Sequence, residues 1–264
     1  SYTTVGGRSF SARTIQLGSL RWPAFAIVAA FLFVSLILPA IVIVQTSFAR
    51  TAGINTFSPQ GYTMENWETI LGLRQNQSAL TNTLILCVAS STAGMLIASL
   101  VAYIVTRTRF RGRKLLETAA WLPWGVPSLV LGMGMLWAVL FSPMSILYGT
   151  IGVLVIAHII RSMPVKTRIM TSTMIQLDKE LEESARVLGA SWPRAFLQVV
   201  LPLVKNGFVA GWIIGFVYSF GELALVAFLT GPKSVVYSTL LFSLWQNGAI
   251  ERASVVAIIM TAII

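Results

Sequence analysis

The chain alternates long apolar blocks with short polar stretches, a pattern too coarse for the one-sided stripes of soluble helices. Five blocks approach the length of a bilayer span: about Pro23 to Val44, Ser78 to Val105, Leu115 to Leu140, Ile146 to Ile160, and Leu201 to Phe220 with room to extend to Leu229. A span needs about 20 apolar residues, so the fourth block would borrow residues from both flanks. A sixth block, Ala253 to Ile264, offers twelve residues. The pattern therefore predicts a last helix cut short, in a piece of a longer polypeptide. Between the first two blocks, Gly61 to Leu73 carries spaced apolar positions and the acidic pair Glu65 and Glu68, which predicts a short external amphipathic helix capping the bundle. The Gly/Ser/Arg-rich residues 1–20 read as a linker ahead of a membrane domain at 21–264.

These blocks predict an all-α polytopic membrane protein of about six transmembrane helices, the last truncated. Composition agrees, with 56% hydrophobic and 11% charged residues against roughly 25% charged in soluble domains. A net charge of +10 would point to nucleic acid in a soluble chain, so the location of the charges decides. With the N-terminus in the cytoplasm, Arg8, Arg13, Arg21, Arg107, Arg109, Arg111, Arg113, Lys114, Arg161, Lys166, Arg168, Lys179, Arg186, Arg194 and Lys205 fall inside, fifteen of the 19 basic residues. Outside, Arg50, Arg74, Lys233 and Arg252 balance Glu65, Glu68, Glu222 and Glu251. Lys/Arg bias sets orientation, so the asymmetry predicts an N-in topology, and no nucleic-acid partner is needed to explain the charge. Cys87 and His158 stand alone on apolar helices and read as packed core groups. No disulfide or Cys-based metal cluster is available to a single cysteine.

The polar loop at about 161–200 has its own order. Asp178 is placed as a helix N-cap, and Glu180, Glu182 and Glu183 lie in the first turns, where negative charge complements the helix dipole. Gly189 is placed as the C-terminal stop, and a second short helix starts near Ser191-Trp192-Pro193. Leu181, Ala185 and Leu188 share one helical face. Two short helices hinged at a glycine would form a cytoplasmic knob able to seat in a groove on another protein.

Gly207, Gly211, Gly215 and Ser219 recur every four residues on the fifth block, and Ser90, Gly94 and Ala98 do so on the second. Such stripes let helices approach closely in lipid. Pro123 and Pro127, with Gly125, Gly132 and Gly134, predict a kink or local opening in the third block, either fixed or lining a pathway. Glu222 follows the fifth block and precedes the apolar stretch Leu223 to Leu229; if embedded, a carboxylate there marks a functional site.

The run Glu183-Ser184-Ala185, then Gly189, then Val199-Val200-Leu201-Pro202 resembles the EAA loop of bacterial ABC importer permeases. Ser184 stands for the family's first alanine and Val199 for its usual isoleucine. Tyr148-Gly149-Thr150, Arg161, Pro164, Arg168 and Leu201-Pro202-Leu203 extend the likeness over Asn82 to Ile264. The resemblance implies a type I (MetI-like) transmembrane domain whose coupling residues are Glu182, Glu183, Ser184, Ala185, Gly189, Leu201 and Pro202. It also implies partners: an ABC ATPase dimer that carries ATP and Mg, a second permease half, fused or separate, and a periplasmic substrate-binding protein. This chain itself would bind no cofactor. Gly221-Glu222-Leu223 and Leu244-Trp245-Gln246-Asn247-Gly248 look most like ferric-iron permeases, with polyamine, thiamine or a small organic anion as alternative cargoes. A secondary transporter or channel would need more mid-membrane ionisable residues than Glu222. No G-x-x-x-x-G-K-[ST] phosphate loop and no H-E-x-x-H motif is present, which argues against an ATPase or a zinc enzyme.

Overall fold

The computed structural model describes residues 17–53, 61–178 and 180–264. Most of the expected linker, Lys179, and the side chains of Leu181, Glu182, Arg186 and Trp192 lie outside the described residues. The described residues are mostly helical, with no strand among them.

The first apolar block forms one helix, Gly18–Phe48, composed of α1 (Arg21–Leu32), a π turn (Phe33–Ile37) and α2 (Leu38–Phe48). Pro39 has no amide to donate back to the preceding turn, and the wider π turn sits where that bond is missing. The most apolar part of this helix is unburied within the chain, as expected of a surface facing lipid or another membrane helix. Its far end packs on α13 (Ile250–Ile263). The amphipathic helix α3 (Glu65–Gly72) is pinned to that end by Asn66 Nδ2, which donates to Ala49 O at 2.8 Å.

The central mast is α4 (Arg74–Arg107), whose long apolar face packs on α7 (Ile151–Ile175) and α11 (Lys205–Gly221). Between them, α5 (Arg113–Trp121) leads through a 3-10 turn, Leu122–Gly125, to α6 (Ser128–Leu140). The third block bends by 112° between its two arms, a turn far sharper than the expected proline kink. Val126 and Pro127 at the break are extended, because the residue before a proline is driven out of the α region.

The fourth block differs from its expected bounds. It runs as α7 to Ile175 and includes Arg161, Lys166 and Arg168, which the apolar pattern assigned to the cytoplasmic loop. The helix tolerates Arg161 and Lys166 because both reach polar atoms of neighbouring elements.

The expected extension of the fifth block to Leu229 is not helical. The helix α11 stops at Gly221, and residues 222–230 form turns that drive Leu225, Val226 and Leu229 into the core beside Leu86, Val139 and Leu154. Irregular backbone at this depth is tolerated where protein surrounds it. Beyond it come α12 (Tyr237–Gln246), too short to span a membrane, and α13. Tyr237 is fully buried; its amide donates to Thr83 Oγ1 at 2.8 Å and its hydroxyl to Asn76 Oδ1 at 2.6 Å, locking α12 to α4.

By length and apolarity, Gly18–Phe48 and Arg74–Arg107 qualify as spans alone. The bent pairs Arg113–Gly125 with Ser128–Leu140, and Pro193–Leu203 with Lys205–Gly221, qualify jointly.

Candidate functional site

A cavity of about 160 Å³ opens between α7 and α11 and is bordered by Trp124, His158, Arg161, Lys166, Tyr218 and Glu222. Tyr218 is 65% exposed, so its rim is reachable from outside the chain. Among its lining residues His158, Lys166 and Ser219 are buried. The cavity lies level with the middle of the α4 mast, where Lys166 Nζ donates at 2.9 Å to Ser90 O.

Lys166 is 1% exposed, the least favourable place for an ammonium. Two glycines make its slot. A Cβ on Gly94 would fall 2.5 Å from Lys166 Nζ, and one on Gly215 would fall 2.6 Å from its Cε. The rest of the small-residue series on α11 also faces neighbours. Gly207 abuts Thr173, Gly211 approaches Met95, with Sδ 2.7 Å from where a Cβ would stand, and Ser219 Oγ lies 3.2 Å from Ser90 Oγ.

Arg161 spans the break in the third block. Its Nη1 donates to Pro123 O at 2.9 Å and its Nε to Ser128 Oγ at 3.0 Å, one bond to each side of Pro127. The guanidinium thus holds the reversal at the mouth of the cavity. Glu222, the first residue past α11, accepts from Leu225 N through Oε1 at 3.1 Å, and its backbone oxygen accepts from Ser238 Oγ at 3.0 Å. Its carboxylate therefore organises the return turn and also borders the cavity.

His158 is 3% exposed. Its Nδ1 lies 2.8 Å from Leu154 O on its own helix, while Nε2 has no partner among the described residues. The chain pattern cast this residue as a packed core group; it is buried, but it borders the cavity. His158, Ser162 and Lys166 stand at i, i+4 and i+8, and Arg161 and Val165 fill the same helical face. That periodicity was available in the sequence, but ending the span at Ile160 hid it.

The second functional region is the loop beyond α7. Glu180 N lies 3.2 Å from Asp178 Oδ1, the bond of an N-capping side chain, and α8 runs Glu180–Val187. Gly189 has φ +90°, and Ala190 N donates to Ala185 O at 3.1 Å, closing the helix with a left-handed turn. Ser184 Oγ bonds back to Glu180 O, and Glu183 and Ser184 are exposed. Val187 and Leu188, at 87% exposure each, form an apolar tip on which no described residue packs. By contrast α9 (Trp192–Ala195), a π turn (Phe196–Val200) and α10 (Leu201–Leu203) are anchored. Phe196 packs edge-on to Tyr103 at 5.3 Å, and Val200 and Val204 join Met95, Met170 and Met174 in one core. Arg107 ties the loop to α4 by donating from Nη2 to Met174 O and Leu177 O.

The candidate residues thus separate into two regions. Glu222 and the break flanked by Pro123 and Pro127 belong to the cavity. Glu183, Ser184, Ala185 and Gly189 lie on the projecting knob, with Leu201 and Pro202 at its root; the side chain of Glu182 is outside the described residues.

The described residues thus form a helical bundle that combines a cavity bordered by buried polar side chains with a projecting knob. Residues 90–264 match the family "Binding-protein-dependent transport system inner membrane component", and the chain belongs to it. This is a family of permease subunits of ABC importers rather than of enzymes. The chain is 27% identical over 272 residues to the ferric transport system permease protein FbpB of Actinobacillus pleuropneumoniae, covering 100% of this chain and 39% of that protein. It thus spans about two fifths of that relative's length. It is also 27% identical over 230 residues to the spermidine/putrescine transport system permease protein PotC of Escherichia coli K12, covering 87% of this chain and 85% of that one. A bacterial alginate ABC transporter, solved in complex with an alginate pentasaccharide-bound periplasmic protein, shares the fold with a TM-score of 0.73 at 18% identity, over 92% of this chain and 89% of that one.

Proposed function

We propose that this chain is the transmembrane permease of an ATP-driven importer, coupling a separate ATPase dimer to the passage of ferric iron delivered by a periplasmic binding protein. The observation that carries the coupling role is the knob. It is rooted in the core through Phe196 and Val200, yet presents Val187 and Leu188 bare to solvent. An apolar tip on a short capped helix suits insertion into a groove, and its rigid root would transmit the groove's motion to α11.

In this reading ATP and Mg act on the partner subunits, while this chain supplies the lever and one wall of the pathway. The N-terminus and the knob are cytoplasmic, and a second permease half, fused or separate, closes the open side of the cavity. Ferric iron is the cargo implied by the likeness around Gly221-Glu222-Leu223, with polyamine as the alternative carried by a relative of equal identity.

Reconstitution of the whole permease with its ATPase in liposomes, with radiolabelled ferric iron, polyamine and thiamine each presented on a binding protein, tests this reading. ATP-dependent iron uptake that is lost in Gly189→Val supports both coupling and cargo. Uptake of another cargo overturns the iron assignment, and uptake indifferent to ATP overturns the importer reading.

A further inference from the structure

Four cations crowd the short connection between α4 and α5: Arg109, Arg111, Arg113 and Lys114. All four are exposed, and with Glu117 the segment 109–117 carries a net charge of +3. The fold makes little use of that charge. Arg113 donates from Nη1 to Thr108 O at 3.1 Å within the same turn, while the side chains of Arg109, Arg111 and Lys114 have no hydrogen-bond partner among the described residues. Arg113 and Lys114 also open α5, at the end of a helix where the macrodipole disfavours cations. Nothing within the described chain offsets that cost, whereas anions from outside it would.

The same turn bares two large apolar side chains. Phe110 is 59% exposed and Leu115 is 76% exposed. Gly112 lets the Phe110 ring lie across the turn, since a Cβ there would stand 2.5 Å from Phe110 Cε1.

Position selects the partner. The apolar block of α4 ends at Val105 and the next begins at Leu115. Arg113 N donates to Phe110 O at 3.2 Å, which folds the link between them into a tight turn. A link so short keeps its cations at the rim of the bilayer, whereas the knob reaches outward through α8 and α9. Arg107, at the base of the turn, bonds Met174 O and Leu177 O, so the turn and the root of the knob share one end of the bundle.

From this arrangement we infer that the α4–α5 turn is a seat for anionic phospholipid headgroups in the leaflet on the knob side. Arg109, Arg111, Arg113 and Lys114 donate to headgroup phosphate oxygens, and Phe110 and Leu115 enter the acyl boundary beside them. A juxtamembrane cluster of this size draws anionic lipid, each Lys or Arg adding to the attraction. The inference needs the chain to lie in a membrane and makes no use of cargo or ATP.

The test is a fluorophore on Leu115→Cys in the full importer complex, reconstituted in phosphatidylcholine vesicles. The native Cys87 is buried and stays unlabelled. Brominated phosphatidylglycerol should quench the label at about a tenfold lower mole fraction than brominated phosphatidylcholine, and added salt should shrink that preference. Arg109→Gln combined with Arg111→Gln should bring the two lipids to within about twofold of each other. Both side chains are exposed and unpartnered among the described residues, so the unfolding temperature should stay at the parent value. Lys205→Gln removes an exposed cation at the foot of α11, outside the cluster, and should keep the preference. Equal quenching by the two lipids in the parent overturns the inference. So does a preference that survives the double substitution, or one lost equally in Lys205→Gln, which would assign it to overall surface charge. Weak quenching by either lipid would mean that a protein partner covers the turn, and overturns the inference as well. None of these measurements uses ATP, so absence of ATP-driven uptake overturns the importer reading alone.

Discussion

Gly189 gives the clearest separation between backbone and side-chain effects in the coupling knob. Its φ of +90° is in the left-handed region, and a Cβ built there meets nothing within 4 Å. Any penalty for Gly189→Ala is therefore conformational, about 1–2 kcal/mol for an L-residue held there. If the ATPase groove recognises α8 only with this turn formed, the loop must regain it on binding, and affinity falls about 5- to 30-fold. Gly189→Val should cost more, since β-branched residues enter this region least readily, and Gly189→Asn less, since Asn enters it more readily than most. Titrating the purified ATPase against the permease in detergent gives the three dissociation constants, with thermal unfolding as the control. The unfolding temperature should hardly move, because the tip of α8 is solvent-exposed. Parent-like affinity for Ala and Val would refute the turn requirement. Equal loss for Ala, Val and Asn would show that the groove excludes a side chain instead.

Tyr237→Phe removes the hydroxyl that bonds Asn76 Oδ1 and leaves a buried acceptor unpaired; destabilisation of about 1–2 kcal/mol, read by thermal unfolding in detergent, is expected. Gly215→Ala drives a methyl group against Lys166 Cε and Ser91 Oγ, so it should lower ATP-driven uptake and stability by about 1–3 kcal/mol. Gly134→Ala, which meets nothing within 4 Å, should be neutral in the same assays. Arg161→Gln loses the clamp across Pro127; faster amide hydrogen exchange in 122–130 than in α4 is the expected signature, and unchanged exchange would refute the clamp.

The sequence by itself determined the all-helical membrane class and the form of the knob. Both depend on neighbours along the chain. Apolar blocks are counted residue by residue, Asp178 caps an amide two residues away, and Gly189 closes a turn formed with Ala185 and Ala190. The extent of α7, the reversal at Pro127 and the turns after Glu222 were decided by tertiary structure. A composition count ends a span at a charged residue, whereas the fold asks where that residue's partners are. For Arg161 they are Pro123 and Ser128, and for Lys166 the carbonyl of Ser90, 76 residues away. Leu223 to Leu229 reads equally well as more helix, and only its packing against Leu86, Val139 and Leu154, with Glu222 capping the Leu225 amide, turns it aside. The cavity follows from those long-range choices, because its lining comes from elements that the chain brings together only when the bundle closes.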